Sequence, residues 1–241
     1  EMCIRDSSGG VHSINLANPK APVFAGGFAD AGYTHDAQVV NYKGPDLDYT
    51  GKEIYIGSNE DKVVIIDVTD KTNIKMISTV KYSKTQYTHQ GWFTEDQKYF
   101  IVGDELDEYK KEVSNTRSII FDFTDLDNPI LHYEFENTTD AIDHNGYVHK
   151  NKFYLASYTA GLRVMDISNI DQKSIIESGF FDTYNEKEDA GIVLSSNYNR
   201  TSHSQDDDHD NPKKGNSAEF NGAWSVYPYF KSENIIISDI N

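Results

Sequence analysis

Tyr33-Thr34-His35-Asp36-Ala37, Tyr87-Thr88-His89-Gln90-Gly91 and Ile142-Asp143-His144-Asn145-Gly146 are three versions of one phrase. Successive histidines lie 54 and 55 residues apart. A short apolar run follows each phrase, at 53–57, 98–103 and 152–156. A second apolar run then ends in a polar turn. These second runs are Val63-Val64-Ile65-Ile66-Asp67-Val68-Thr69-Asp70, Ile119-Ile120-Phe121-Asp122-Phe123-Thr124-Asp125 and Leu162-Arg163-Val164-Met165-Asp166-Ile167-Ser168-Asn169. A period near fifty built only from short apolar runs predicts a β-propeller with one four-stranded blade per repeat. The expected blades span 33–80, 87–135 and 142–181. Poor alternation in the third run of each repeat fits a strand covered on both faces by neighbouring blades.

The flanks read as half blades. Val11 to Asn18 aligns with a third strand, with Asn15 where Asp67, Asp122 and Asp166 stand, and 23–28 is then a fourth strand. Phe220-Asn221-Gly222-Ala223-Trp224 echoes His144-Asn145-Gly146-Tyr147, which sets Phe220 in the histidine slot, and 234–238 is the next strand. The expectation is an all-β, incomplete β-propeller of three full blades and two half blades. Such an array would be open, with exposed strand edges. Residues 1–8 match nothing in the repeat and read as a non-native or disordered start to a propeller fragment at 9–241. An acidic insertion at 183–219 stretches the spacing to 76 residues and carries Asp206-Asp207-Asp208-His209-Asp210. It lacks the spaced ligands and glycine of a calcium loop and reads as a solvated surface loop.

Composition narrows the partners. Of 241 residues, 22 are basic and 39 acidic, a net charge of −17. Such a surface repels a phosphate backbone, so nucleic acid is excluded as a partner. Cys3 is the lone cysteine and no intrachain disulfide forms. No apolar run is long enough for a membrane-spanning helix, and no signal peptide is visible.

In a propeller, the loop into the first strand of a blade and the loop after its second strand share one end. His35, His89 and His144 are therefore expected to meet Glu60, Asp61, Asp104 and Glu105 around one mouth of the central channel. Imidazole with carboxylate suits a divalent metal such as zinc, manganese or iron. The expected metal set is His35, His89, His144, Asp104 and Glu105. The expected ligand-binding set is His35, Asp36, His89, Trp92, Asp143, His144 and Trp224. A histidine repeated at one register serves equally to lock blade to blade, since buried polar groups are usually satisfied internally. Asp67, Asp122 and Asp166 each stand two residues before Thr or Ser, the spacing at which a carboxylate caps backbone N–H groups at a turn. No nucleophile elbow, P-loop or dinucleotide fingerprint occurs.

Taken together, 32–38, 87–92, 104–108, 141–145, 158–163 and 220–225 resemble the bacterial choice-of-anchor B family, built on the LVIVD-type propeller repeat. The resemblance runs from about Gly9 to Asn241, the acidic insertion excepted. It implies an extracellular or cell-surface propeller held by a C-terminal anchor, with no established enzymatic activity. Fold alone does not choose a function. The expected function is non-catalytic binding of a protein or glycan through one face. The alternative is a metal-dependent hydrolase or lyase using the histidine cluster.

Overall fold

The computed structural model describes residues 8–184 and 218–240. Most of the start at 1–8 and of the insertion at 183–219, with the acidic run at 206–210, lies outside the described residues. Among the described residues, sixteen strands form five antiparallel sheets, each in chain order. A two-stranded sheet holds β1 (Val11–Asn15) and β2 (Val23–Phe28). Blade 1 is β3 (Asp36–Asn41), β4 (Glu53–Ser58), β5 (Val63–Asp67) and β6 (Lys75–Val80). Blade 2 is β7 (Thr88–Phe93), β8 (Tyr99–Asp104), β9 (Arg117–Asp122) and β10 (Ile130–Glu136). Blade 3 is β11 (Gly146–His149), β12 (Lys152–Ala156), β13 (Leu162–Asn169) and β14 (Ser174–Phe181). A second two-stranded sheet holds β15 (Ala223–Tyr227) and β16 (Ile236–Asp239).

The first strands stand side by side: β3 packs on β7, β7 on β11, and β11 on β15. This is the arrangement around a propeller axis, and the fold is an incomplete β-propeller. The half sheets β1–β2 and β15–β16 remain separate, with no ladder joining them among the described residues. Helix is confined, among the described residues, to two short 3-10 segments, Leu47–Tyr49 and Ile170–Gln172. No helix there is long and apolar enough to cross a membrane.

The core lies between blades, and neighbouring residues on one strand serve different interfaces. Ile54, Ile56, Val63 and Ile65 of blade 1 pack with Phe100, Val102, Ile119 and Phe121 of blade 2. Their chain neighbours Tyr55, Val64 and Ile66 face the other way, toward Val11 and Ala31. In blade 2 the same split sends Tyr99, Ile101 and Ile120 toward Val148, Phe153, Leu155 and Met165 of blade 3. Both sides of β5 and β9 are thus apolar, which is why their sequences do not alternate. Each such side chain, fully buried, contributes about 1.5–3 kcal/mol.

The polar turns behave as their spacing predicts. Asp67 Oδ1 accepts the Thr69 N–H at 3.0 Å, Asp122 Oδ1 the Thr124 N–H at 2.8 Å, and Asp166 Oδ1 the Ser168 N–H at 2.9 Å. Asn15 does the same for Ala17 at 2.8 Å. The glycine of the repeated phrase also has a reason. A Cβ on Gly91 would stand 2.3 Å from Phe100, and one on Gly146 would stand 2.2 Å from Phe153. In blades 2 and 3 the second strand presses a phenylalanine onto the first, and only glycine leaves room, whereas blade 1 has Ala37 there and no phenylalanine on β4.

Candidate functional site at the channel mouth

The first strands deliver their histidines to one end of the molecule. The rings of His35 and His89 lie 4.4 Å apart between centroids, and those of His89 and His144 4.2 Å apart. The row continues with Trp224, whose ring is 4.3 Å from His144. Trp224, not Phe220, therefore holds the histidine position of the last half blade. The bridges agree: Thr88, before His89, pairs with Glu60, and Ala223, before Trp224, pairs with Tyr158. Phe220 instead sits beside Tyr109 and Tyr158.

Glu105 is the carboxylate that reaches the row. It follows directly on β8, and its backbone N–H donates to the Tyr87 carbonyl at 3.1 Å. Its Oε2 lies 3.7 Å from His89 Nε2 and its Oε1 3.6 Å from His144 Nε2. Both separations are too long for hydrogen bonds. Oε1 accepts the Tyr158 hydroxyl at 2.7 Å, which fixes the side chain. In the other two blades the equivalent positions hold Asn59 and Ser157. Asn59 is spent on structure: it accepts from Thr34 at 2.7 Å and donates to the Ala31 carbonyl at 3.0 Å.

The hydrogen-bond pattern fixes one imidazole. His144 Nδ1 is 2.6 Å from the Trp224 carbonyl, which only accepts, so Nδ1 carries the hydrogen and Nε2 faces Glu105 with a lone pair. His89, 2% exposed, has Nδ1 buried without a hydrogen-bond partner. Burial, then the neighbouring imidazoles of His144 and His35, hold His89 down at about 2. Burial likewise lowers His144 to about 4, against the pull of the Trp224 carbonyl. Both rings are neutral near pH 7. Glu105 is raised, chiefly by burial. The ligand atoms of His89, Glu105 and His144 all lie within 4.8 Å of one another.

The remaining expected residues take other places. His35 is exposed, with Nδ1 3.0 Å from the Tyr87 hydroxyl and 3.3 Å from that of Tyr33, and it stands outside the converging trio. Asp104 is turned into the fold. It accepts Tyr87 N and Leu106 N on Oδ1, and Gln86 N and the Tyr82 hydroxyl on Oδ2. A carboxylate holding four donors ties down the loop before β7 and has none left to offer an ion. Asp61 pairs with Lys62 and Lys81 at the surface, and Glu60 lines a nearby cleft, so neither joins the histidines. Asp143 is wholly buried, with neither carboxylate oxygen hydrogen-bonded. Burial, then Asp107, Asp104 and Glu105, push its pKa well above the carboxylate range. Asp36 is half-buried and raised by burial. Trp92 lies three residues beyond His89, its ring 4.8 Å from Tyr147, in a separate aromatic groove with Tyr227 and Tyr229.

Sequence reasoning missed Tyr33, Tyr87 and Tyr158 as mouth residues. A signal was present for the first two, since both blades read Tyr-Thr-His. It also missed Arg117, fully buried and held by Asp107 and Glu134 behind the mouth. A second acidic group, Asp46, Asp125 and Asp127, is engaged by backbone N–H groups and the Tyr49 hydroxyl.

Beside the mouth, on the same end, a cleft of about 500 Å³ is lined by Glu60, Asp61, Lys81, Gln86, Tyr87 and Lys110, among others. Tyr87 belongs to both the cleft and the row of rings.

Fold and site together define an incomplete β-propeller whose first strands gather a row of rings and one carboxylate at the channel mouth. No family profile and no curated protein sequence matches the chain. Among solved structures it is similar to a protein from Lactobacillus plantarum at 13% identity and a TM-score of 0.50, over 73% of this chain and 52% of that one. It is also similar to the β-propeller domain of Cps50 (Swd1) from Myceliophteria thermophila at 12% identity and a TM-score of 0.42, over 65% of this chain and 42% of that one. The chain spans about half the length of these two solved chains. The first likeness concerns the fold alone.

Proposed function

We propose that this chain is a non-catalytic β-propeller module that binds a protein or glycan ligand through the mouth face. The observation that carries this reading is the row His35, His89, His144 and Trp224, which continues through Tyr87 into the charged cleft. Trp224 is 41% exposed and Tyr33 42% exposed, and rings with a polar tip are favoured anchors of binding surfaces. Lysines and carboxylates share the cleft, which suits a polypeptide carrying both signs of charge and favours a protein over a glycan. The resemblance of the repeated phrases to the choice-of-anchor B family supports an extracellular or cell-surface setting for such a module.

The test is intrinsic fluorescence of Trp224 against defined panels of secreted proteins and of glycans, with Trp92→Phe as background to leave one tryptophan. A saturable change with a protein, lost in Tyr87→Ala while the melting temperature holds, supports the reading. Saturable binding, measured by calorimetry, that is unaffected by both Trp224→Ala and Tyr87→Ala would move the site off the mouth. A second reading, a metal-dependent hydrolase or lyase, draws on the convergence of His89, His144 and Glu105. Turnover of a panel of model esters and polysaccharides, abolished in Glu105→Gln, would replace the first reading with it.

A further inference from the structure

We propose that His89 Nε2, His144 Nε2 and the Glu105 carboxylate form a site for one divalent transition metal of the zinc class. Its remaining positions would be open to an oxygen donor. Ligand binding at the mouth does not by itself require this.

Three features of the geometry support the site. The first is spacing. Two ligands on a tetrahedral zinc at bonds of about 2.0–2.1 Å stand roughly 3.3 Å apart. The observed separations, 3.7 Å from His89 Nε2 to Glu105 Oε2 and 3.6 Å from His144 Nε2 to Glu105 Oε1, lie near that value and present both carboxylate oxygens, with the ligand atoms of the trio within 4.8 Å of one another. The second is the His144 tautomer. A metal-binding imidazole almost always donates its other N–H to a carbonyl or carboxylate. The Trp224 carbonyl plays that part at 2.6 Å. The third is Glu105, whose Oε1 is positioned by the Tyr158 hydroxyl, an outer partner of the kind that orients a ligating carboxylate.

The local charge agrees. Asp104 is buried at this end, and the buried cation behind it, Arg117, is already held by Asp107 and Glu134. The donor set distinguishes the ion. Two imidazoles and one carboxylate suit zinc, cobalt, iron or manganese, whereas calcium and magnesium take oxygen ligands. Glu105, with its side chain 15% exposed, is the member through which solvent reaches the trio.

The test uses the whole chain, stripped by chelator dialysis, with the metal ions alone as probes. Calorimetric titration with Zn²⁺ should give one site per chain at the mouth, and Mg²⁺ and Ca²⁺ should not occupy it. Co²⁺ should develop the visible absorption of a four- or five-coordinate nitrogen–oxygen site. Glu105→Gln keeps the side-chain length and an oxygen for Tyr158, and should weaken Zn²⁺ binding more than about a hundredfold, beyond the 10–100-fold typical of losing an outer partner. His144→Gln should do the same, and His35→Ala should leave binding unchanged. Side-chain NMR of the wild-type histidines reads the site without any variant: zinc should shift the Nε2 resonances of His89 and His144 and spare those of His35. No stoichiometric Zn²⁺ on wild-type protein that melts cooperatively overturns the proposal. So does binding that survives both Glu105→Gln and His144→Gln, or zinc shifts confined to other histidines. A metal-free chain that still binds its partner through Trp224 and Tyr87 would refute the metal site and leave the binding module standing.

Discussion

Replacing Arg117 by methionine should destabilise the fold by about 3–5 kcal/mol, the cost of breaking a buried ion pair from one side. The guanidinium is fully buried. Its Nε and Nη2 donate to Asp107 Oδ2 at 2.9 and 2.7 Å, and its Nη1 lies 3.2 Å from Glu134 Oε2. Nη1 also donates to the Ser83 carbonyl at 3.1 Å. Methionine fills much of the volume, so the loss is electrostatic and not a cavity. Glu134 reaches solvent and rehydrates, whereas Asp107 is left buried without its counter-charge. Against a total stability of about 5–15 kcal/mol, the variant should be marginal. Urea unfolding followed by tryptophan fluorescence reads the change as a shift in midpoint at constant slope. Arg117→Met combined with Asp107→Asn removes the stranded charge and should recover more than about 1 kcal/mol of the loss. A single variant losing less than about 1 kcal/mol, or a double variant no better than the single, would refute this account of the buried acidic layer.

Gly91→Ala should cost about 1–3 kcal/mol by overpacking, because the added methyl meets Phe100 at 2.3 Å. Thermal melts should find the loss reduced when Phe100→Leu accompanies it, and a neutral Gly91→Ala would contradict the packing. Glu108 is held well above the carboxylate range by burial first, then by Asp143 and Asp107. The folded state therefore keeps a proton that the unfolded state releases from about pH 4.5 upward, so this group makes stability fall as pH rises through that window. Glu108→Gln should flatten the fall by up to one proton and raise stability at pH 7, as urea midpoints across pH 4–8 would reveal. An unchanged slope would mean that Glu108 is ionised in the fold.

Strand positions were legible because β5 and β9 are apolar on both sides, as at Ile65 and Ile66, and each third strand carries an aspartate two residues before Thr or Ser. The histidine register was legible for the same reason, since a repeat fixes an address on a blade. Direction was not. Asp104 and Glu105 are adjacent, yet one closes β8 and turns inward to four donors while the other starts the turn and faces the rings. Period arithmetic carries no such sign. The fourth ring was misplaced because Asn221-Gly222 copies Asn145-Gly146 in letters, while Trp224 matches His89 in pairing, 80 residues beyond His144. Arg117 gave no signal, since an arginine opening an apolar run reads as a surface cap until its partners are seen.

The split allegiance of neighbouring side chains leaves one error poorly guarded. On β5, Ile65 meets blade 2 and Ile66 meets the preceding half sheet. A one-residue slip would exchange them, and isoleucine would replace isoleucine on both sides. Greasiness cannot tell the right alignment from the wrong one on that strand, although on β9 the same slip would swap Ile120 with Phe121 and be felt at once. What distinguishes the alignments on β5 lies at its end, where Asp67 receives the Thr69 N–H. A small polar turn thus acts as the indexing tooth of the strand, deciding which neighbour each isoleucine meets.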